Sequence, residues 1–389
     1  MVYLLLYFTY PVYGDTWMSS ETLELHHAQA NISKERFYRP ELDILRFLAF
    51  FLVFLHHSQR MYFPGAALAD VGAACASGVQ VFFVLSSFLI TELLLREKEK
   101  TGSVHLRFFY IRRILRIWPL YFFFIGGCLI VSKLTHFTIF TTTQFLFFLF
   151  LAGNWWSAFH GFIPRVVGPL WSISLEEQYY IVWPTIARFG RRVLWIASGL
   201  FLVASTIALW YLGSAQAERY AIWCNSFVEF QFFALGAMLA MLLHKRTLAF
   251  SPVLRIVLAL AAFTIIVGDQ ISLHVILGPK TGPIALIAAY ALLSIGIVLL
   301  FLAFFGMKVG SFAKPLIYLG KISYGLYVFH DLSLRIIYPL EQRFHFGGVL
   351  SVLFSLAVCI LLASLSYKFL EMPFLRLKEK FAFVRTRTA

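Results

Sequence analysis

The sequence predicts an all-α fold: a polytopic membrane helical bundle of about ten transmembrane helices, with both termini cytosolic. Three observations carry that expectation. Of the 389 residues, 60% are apolar and only 13% are charged, whereas soluble domains carry about 25% charged residues. Apolar runs of about 20 residues, long enough to cross a bilayer as helices, recur roughly ten times. The basic residues alternate between rich and poor connections. With the N-terminus in the cytosol, roughly four fifths of the 33 Lys and Arg fall on the cytosolic side. The same distribution argues against a nucleic-acid partner despite the formal charge of +14. That charge is spread in short clusters between apolar runs.

Residues 1–38 read as a cytosolic lead-in. Residues 1–13 are apolar but too short to span, and they lack the basic start and small-residue cleavage pattern of a signal peptide. His26 and His27, in the polar stretch that follows, read as solvated side chains. Spans are expected at about 43–62 and 75–95, then, after a basic loop from Arg96 to Arg107, at about 114–132. The run at 143–156 is too short for a span and reads as a partial or re-entrant helix. Further spans are expected at about 170–189, 193–212, 225–243, 253–270, 283–306, 320–340 and 347–370. The ten helices make a membrane domain over 39–375, and 376–389 form a basic cytosolic tail. Neither flank is long enough for a fused soluble domain. Four cysteines, with no CxxC pair, read as small hydrophobes.

The first span holds the sharpest chemical signal. At about 1.5 Å and 100° per residue, Arg46 and His57 share a helix face roughly 16 Å apart, and His56 is turned about 80° away. An ionisable group at that depth is costly and usually functional. His57 suits a general base, because imidazole titrates near neutral pH. The plainer readings are an interhelical hydrogen bond or an ion path. Asp43 lies on the same face but about 21 Å from His57, so it reads as a partner of Arg46 or another nearby base. Arg112 and Arg116 stand at i and i+4 beside Arg113, and such a pair can clamp one anion. A lipid-headgroup anchor would explain any one of them. Glu176 and Glu177 are expensive inside a span unless paired. One could orient an imidazolium or meet an arginine, and a structural ion pair suits the other. In the ninth span Ser323 and His330 are seven apart and nearly aligned, with Tyr324 and Tyr327 between them. They could line one cavity, but no nucleophile elbow surrounds Ser323. Glu371 with Pro373 reads as structural.

These segments together resemble the acyltransferase-3 family of integral membrane O-acyltransferases. The resemblance runs over about 36–375. It rests on Arg46 with His57, on Gly78–Thr91 (GVQVFFVLSSFLIT), and on Arg112, Arg113, Arg116, Pro119 and Tyr121. It rests also on Leu170–Tyr180, Leu319–His330 and Glu371–Pro373. Gln80 stands where an acidic residue is common, and Ser87 where glycine is common. The first departure is expected to alter cavity polarity and the second to alter helix packing.

The resemblance implies a fold and a reaction. An acyl group, often acetyl, would pass from cytosolic acyl-coenzyme A to a hydroxyl of a carbohydrate, lipid-linked glycan or small molecule. Acyl-coenzyme A would be a co-substrate, with no tightly bound cofactor and no metal. Arg46, Arg112, Arg113 and Arg116 would hold the donor phosphates. His57 would take the hydroxyl proton, with Glu176 tuning it, and Asp43, Ser323, Tyr324 and His330 would line the substrate cavity. Transfer would be completed in the membrane core. The expected setting is a bacterial cytoplasmic (inner) membrane, among its lipids, as a monomer or homodimer. Trp155, Trp156, Phe159 and Phe162 suit either sugar stacking or an interfacial aromatic belt. A transporter or exporter is the competing class, against which stands the lack of an inverted hydropathy repeat.

Overall fold

The computed structural model describes residues 37–63, 65, 69–135, 138–163, 166–273 and 282–384. The expected lead-in up to residue 36, with His26 and His27, and the tail beyond Val384 lie outside the described residues. The described chain is helical in every expected span. Helix α1 (Pro40–Tyr62) is followed by the short α2 (Ala69–Ala74), then α3 (Gly78–Thr101) and α4 (Leu106–Thr135). Two short helices come next, α5 (Thr142–Leu149) and α6 (Gly153–His160), then α7 (Trp171–Ala187) and α8 (Arg191–Ser214). The brief α9 (Arg219–Trp223) leads into α10 (Ser226–Leu243), α11 (Pro252–Leu273) and α12 (Pro283–Phe304). The chain closes with α13 (Lys314–Lys321), α14 (Ser323–Phe344), α15 (Gly348–Ser366) and, after a π turn, α16 (Met372–Glu379). Among the described residues, seven helices are long and apolar enough to cross a membrane.

Local chemistry explains several of these boundaries. Pro40 opens α1, where its missing N–H costs nothing, and Glu41 and Asp43 lie in the first turn against the positive end of the helix dipole. Gly102 ends α3 in the left-handed region, at φ 77°. Thr141 and Gln144 form a reciprocal capping box that starts α5. The third span differs from its sequence expectation. It starts at Leu106, so Arg107, Arg112 and Arg113 stand on a helix rather than in a loop, and Arg96, Lys98 and Lys100 belong to the end of α3. The run at 143–156 becomes the two short helices α5 and α6. The ninth span is broken at Ile322, between α13 and α14.

The centre of the bundle is α3, flanked by α1 and α10. Two glycines set the closest approaches. A Cβ on Gly78 would collide with the Ala49 carbonyl oxygen of α1, and one on Gly320 with the Asp43 carbonyl oxygen. Only glycine lets these backbones meet. α14 lies along α1 and α15, and α4 receives α16. Residues beyond α16 fold back over the start of α4: Arg112 donates to the Phe381 carbonyl at 2.7 Å, and Phe383 stacks on His105. At the expected departure Ser87, the hydroxyl donates to the Phe233 carbonyl and meets the Tyr179 hydroxyl at 2.7 Å, joining α3 to α10 and α7. Gln80 is fully buried and donates to Glu229 of α10 at 3.0 Å. It therefore points away from the cavity described next.

Candidate active site

The polar side chains that the apolar pattern makes expensive converge on one cavity of about 210 Å³. It opens where α1 begins. Asp43 and Arg46 of α1, Arg112, Arg113 and Arg116 of α4, Glu176 of α7, and Ser323 and Tyr324 of α14 all line it. Lys378 of α16 lines it as well. Phe82, Leu89 and Ile90 of α3 give it an apolar wall, and Ser172 and Tyr327 also line it. Each of the expected site residues except His57 and His330 is among the lining groups.

The arginines divide by what they touch. Arg112 is committed: one guanidinium nitrogen bonds Glu97 at 2.7 Å and another bonds the Phe381 carbonyl. The expected Arg112–Arg116 clamp is therefore incomplete, because the Arg112 charge is already matched by a carboxylate. Arg113 lies over the rings of Phe109 and Tyr180, at 5.5 and 5.3 Å from their centroids. Arg46 and Arg113 both act electrostatically on Glu176. Glu176 accepts hydrogen bonds from the Ser86 and Tyr180 hydroxyls, at 3.1 and 3.0 Å. Its neighbour Glu177 turns the other way and accepts from the Trp118 indole at 3.0 Å. Helical phase splits the adjacent pair, one into the cavity and one into the α4 packing. Glu176 thus stands with the arginines, and no contact joins it to His57.

His57 lies deeper, between two other imidazoles. Its ring centroid is 5.0 Å from that of His56 and 4.8 Å from that of His330. Each of the three rings places Nδ1 against a backbone carbonyl: His56 on Gly72, His57 on Val53 and His330 on Tyr327. A carbonyl oxygen only accepts, so each Nδ1 carries the hydrogen. In its uncharged form each ring therefore presents its lone pair at Nε2. His330 is wholly buried, and its Nε2 has no hydrogen-bond partner among the described residues. The cavity reaches this group through Tyr327, whose ring is 5.4 Å from His330 and whose hydroxyl is held by Pro169 and Ser172.

Asp331, held by Arg335 at 2.6 Å one helical turn further on, acts electrostatically on His57, and Arg60 and Arg335 act against it. The sequence reading passed over Asp331, although it adjoins His330 in an apolar span. Tyr180, one turn after Glu176, was legible by i, i+4 spacing, whereas Ser86 comes from α3 and no local period relates it to Glu176. Beyond the histidines a second cavity, of about 570 Å³, is lined by Arg60, Met61, Val131, Ile139, Val166, Arg335 and Tyr338. Trp155, Trp156, Phe159 and Phe162 line neither cavity. Trp155 stacks on Phe159, and Trp156 stacks on His160.

Comparison with known proteins adds the chemistry. The family model described as an acyltransferase domain matches residues 39–368. The peptidoglycan O-acetyltransferase OatA of Listeria monocytogenes is 27% identical over 368 residues, which cover 87% of this chain and 56% of that protein. The O-acetyltransferase OatA of Staphylococcus aureus is 28% identical over 381 residues, covering 86% of this chain and 57% of that protein. The chain thus spans little more than half the length of the curated relatives it matches. No solved structure matches.

Proposed function

The chain belongs to the acyltransferase-3 family, and from that premise we propose that it is a membrane O-acyltransferase. It moves an acyl group, acetyl in the first instance, from acyl-coenzyme A to a hydroxyl of a carbohydrate or related small molecule. The observation that carries this reading is the arginine-lined cavity that runs inward to Tyr327, whose ring lies against the buried His330. Arg46, Arg113 and Arg116, joined by Lys378, hold the donor phosphates, and Arg112 supports that wall through Glu97. Glu176 balances the arginine charge and keeps Arg46 and Arg113 turned inward. The pantetheine arm follows the apolar wall of α3 toward Tyr327, along the roughly 16 Å from Arg46 to His57.

At the inner end the acceptor hydroxyl gives its proton to His57 Nε2. Its oxygen attacks the thioester carbonyl, and the tetrahedral intermediate collapses to ester and thiolate. The thiolate then takes the proton back from the imidazolium, so no proton is gained or lost overall. Asp331 stabilises the transient positive charge on His57. The dry surroundings strengthen that interaction.

We assign the basic end to the cytosol, with ten crossings and both termini inside, in a bacterial cytoplasmic membrane. The charge asymmetry and the bacterial origin of the relatives support this. The membrane domain spans 39–375, with a cytosolic lead-in at 1–38 and a basic cytosolic tail at 376–389. Purified protein with labelled acetyl-coenzyme A tests the reaction. His57→Ala is expected to lower acyl transfer or thioester hydrolysis by about 10²–10⁴-fold with the fold intact. Full activity in that variant would sink the proposal, and uptake of a solute without thioester turnover would replace it with transport.

A further inference from the structure

The second cavity shares no lining residue with the first. It lies past the histidines, and two helices read toward it in the same order. On α1 the sequence runs from Asp43 and Arg46 in the first cavity, through His57, to Arg60 and Met61 in the second. On α14 it runs from Ser323 and Tyr324, through His330, to Arg335 and Tyr338. The histidines therefore stand between two openings.

Two guanidiniums face the second cavity, and its remaining lining is aliphatic apart from Tyr338. They are not equivalent. Arg335 is neutralised by Asp331 at 2.6 Å. Arg60 has no carboxylate partner among the described residues, yet it acts electrostatically on His56 and His57. Among the described residues the cavity thus keeps one guanidinium with no carboxylate beside it, at the exposed end of α1. Its volume is within the range of small-molecule sites, about 300–1,000 Å³.

We infer that this cavity is the acceptor site and that it selects an anionic acceptor, whose carboxylate or phosphate is held by Arg60. The inference rests on the acyltransferase reading above. Arg60 follows His57 by one turn on the same face, a rise of about 4.5 Å. The acceptor's negative group accordingly lies a few bonds from the hydroxyl that is acylated, as in a uronic acid or an acid-substituted amino sugar. Arg335 is a positioning residue: it fixes Asp331 beside His57.

The test uses the purified full chain in zwitterionic lipid vesicles with labelled acetyl-coenzyme A. Acceptors are supplied as matched pairs: methyl glucoside with methyl glucuronoside, methyl galactoside with methyl galacturonoside, and N-acetylglucosamine with its 3-O-lactyl derivative. Acyl transfer is expected to favour an acidic member by about tenfold or more over its neutral twin. Arg60→Gln is expected to raise KM for that acceptor by a similar factor without moving KM for acetyl-coenzyme A, and Arg60→Lys is expected to restore part of the loss. Equal use of neutral and acidic members, or no use of any acidic one, overturns the inference. An unchanged KM in Arg60→Gln also overturns it. In a second arm, phosphatidylglycerol is added to the vesicles. If it displaces the acidic acceptor, the arginine holds a lipid headgroup and the inference fails. Thioester hydrolysis without acceptor, lost in His57→Ala, is read in the same samples. Its presence beside a failed acceptor preference rejects this inference alone, and its absence rejects the acyltransferase reading as well.

Discussion

Helix α1 and helix α11 are nearly the same length and have opposite lives. α1 buries Glu41, Asp43, His56 and Ser58 inside the bundle. α11 turns Val253, Leu254, Ile256, Val257, Leu260 and Phe263 outward. The seven helices apolar and long enough to cross a membrane include α11 but not α1, α7 or α14. Those three carry His57, Glu176 and His330. Whereas α4, which carries three of the arginines, is among the seven, these three helices of the candidate site are not. They can be polar because α3, α10 and the outer helices shield them from lipid, and the polar groups meet one another or a cavity.

That contrast can be broken in four further places. The largest effect on stability is expected at Arg112→Gln, which leaves Glu97 buried beside a neutral partner. Thermal unfolding in detergent should show a loss of about 3 kcal/mol, and an unchanged midpoint would mean that Arg112 belongs to donor binding instead. His330→Phe replaces one ring by another against Phe50. It is expected to cut acyl transfer by about a hundredfold with little change in melting temperature. Equal losses of both would reduce His330 to a packing residue. Gly320→Ala drives a methyl into the Asp43 carbonyl and should cost about 1–3 kcal/mol, read by denaturation. If it is neutral, α13 and α1 are not in close contact. On α11, Val257→Leu should move neither stability nor turnover, with an expected change under about 0.5 kcal/mol. A larger change would place that face against protein.

Much of the architecture was legible because the bilayer leaves few choices. A run of about 20 apolar residues must close its own backbone hydrogen bonds, and only a helix does so within one segment. Boundaries were less legible. Nothing in the basic stretch before RRILRIWPLY separates a loop from the first turns of a helix, and the structure starts α4 at Leu106. In the site, Arg46 and His57 could be read from spacing alone, since both lie on one helix. The partners of His57 could not. His330 and Asp331 come from a helix more than 250 residues away, and no local period relates them to α1.

Adjacent residues mark the same limit. Glu176 and Glu177 are indistinguishable in the sequence, and so are Arg112 and Arg113. The structure gives Glu176 to Ser86 and Tyr180, Glu177 to Trp118, Arg112 to Glu97, and Arg113 to the Tyr180 ring. By itself the sequence determined that the chain is a helical membrane bundle, which end is basic, and that a histidine lies deep on the face of an arginine. Those are consequences of hydropathy, charge and the helical repeat, all of them local. Only the tertiary structure decided which arginine is already neutralised, which carboxylate attends His57, and that a second cavity lies beyond it. Those depend on contacts between distant helices, where a single ångström decides whether two groups bond.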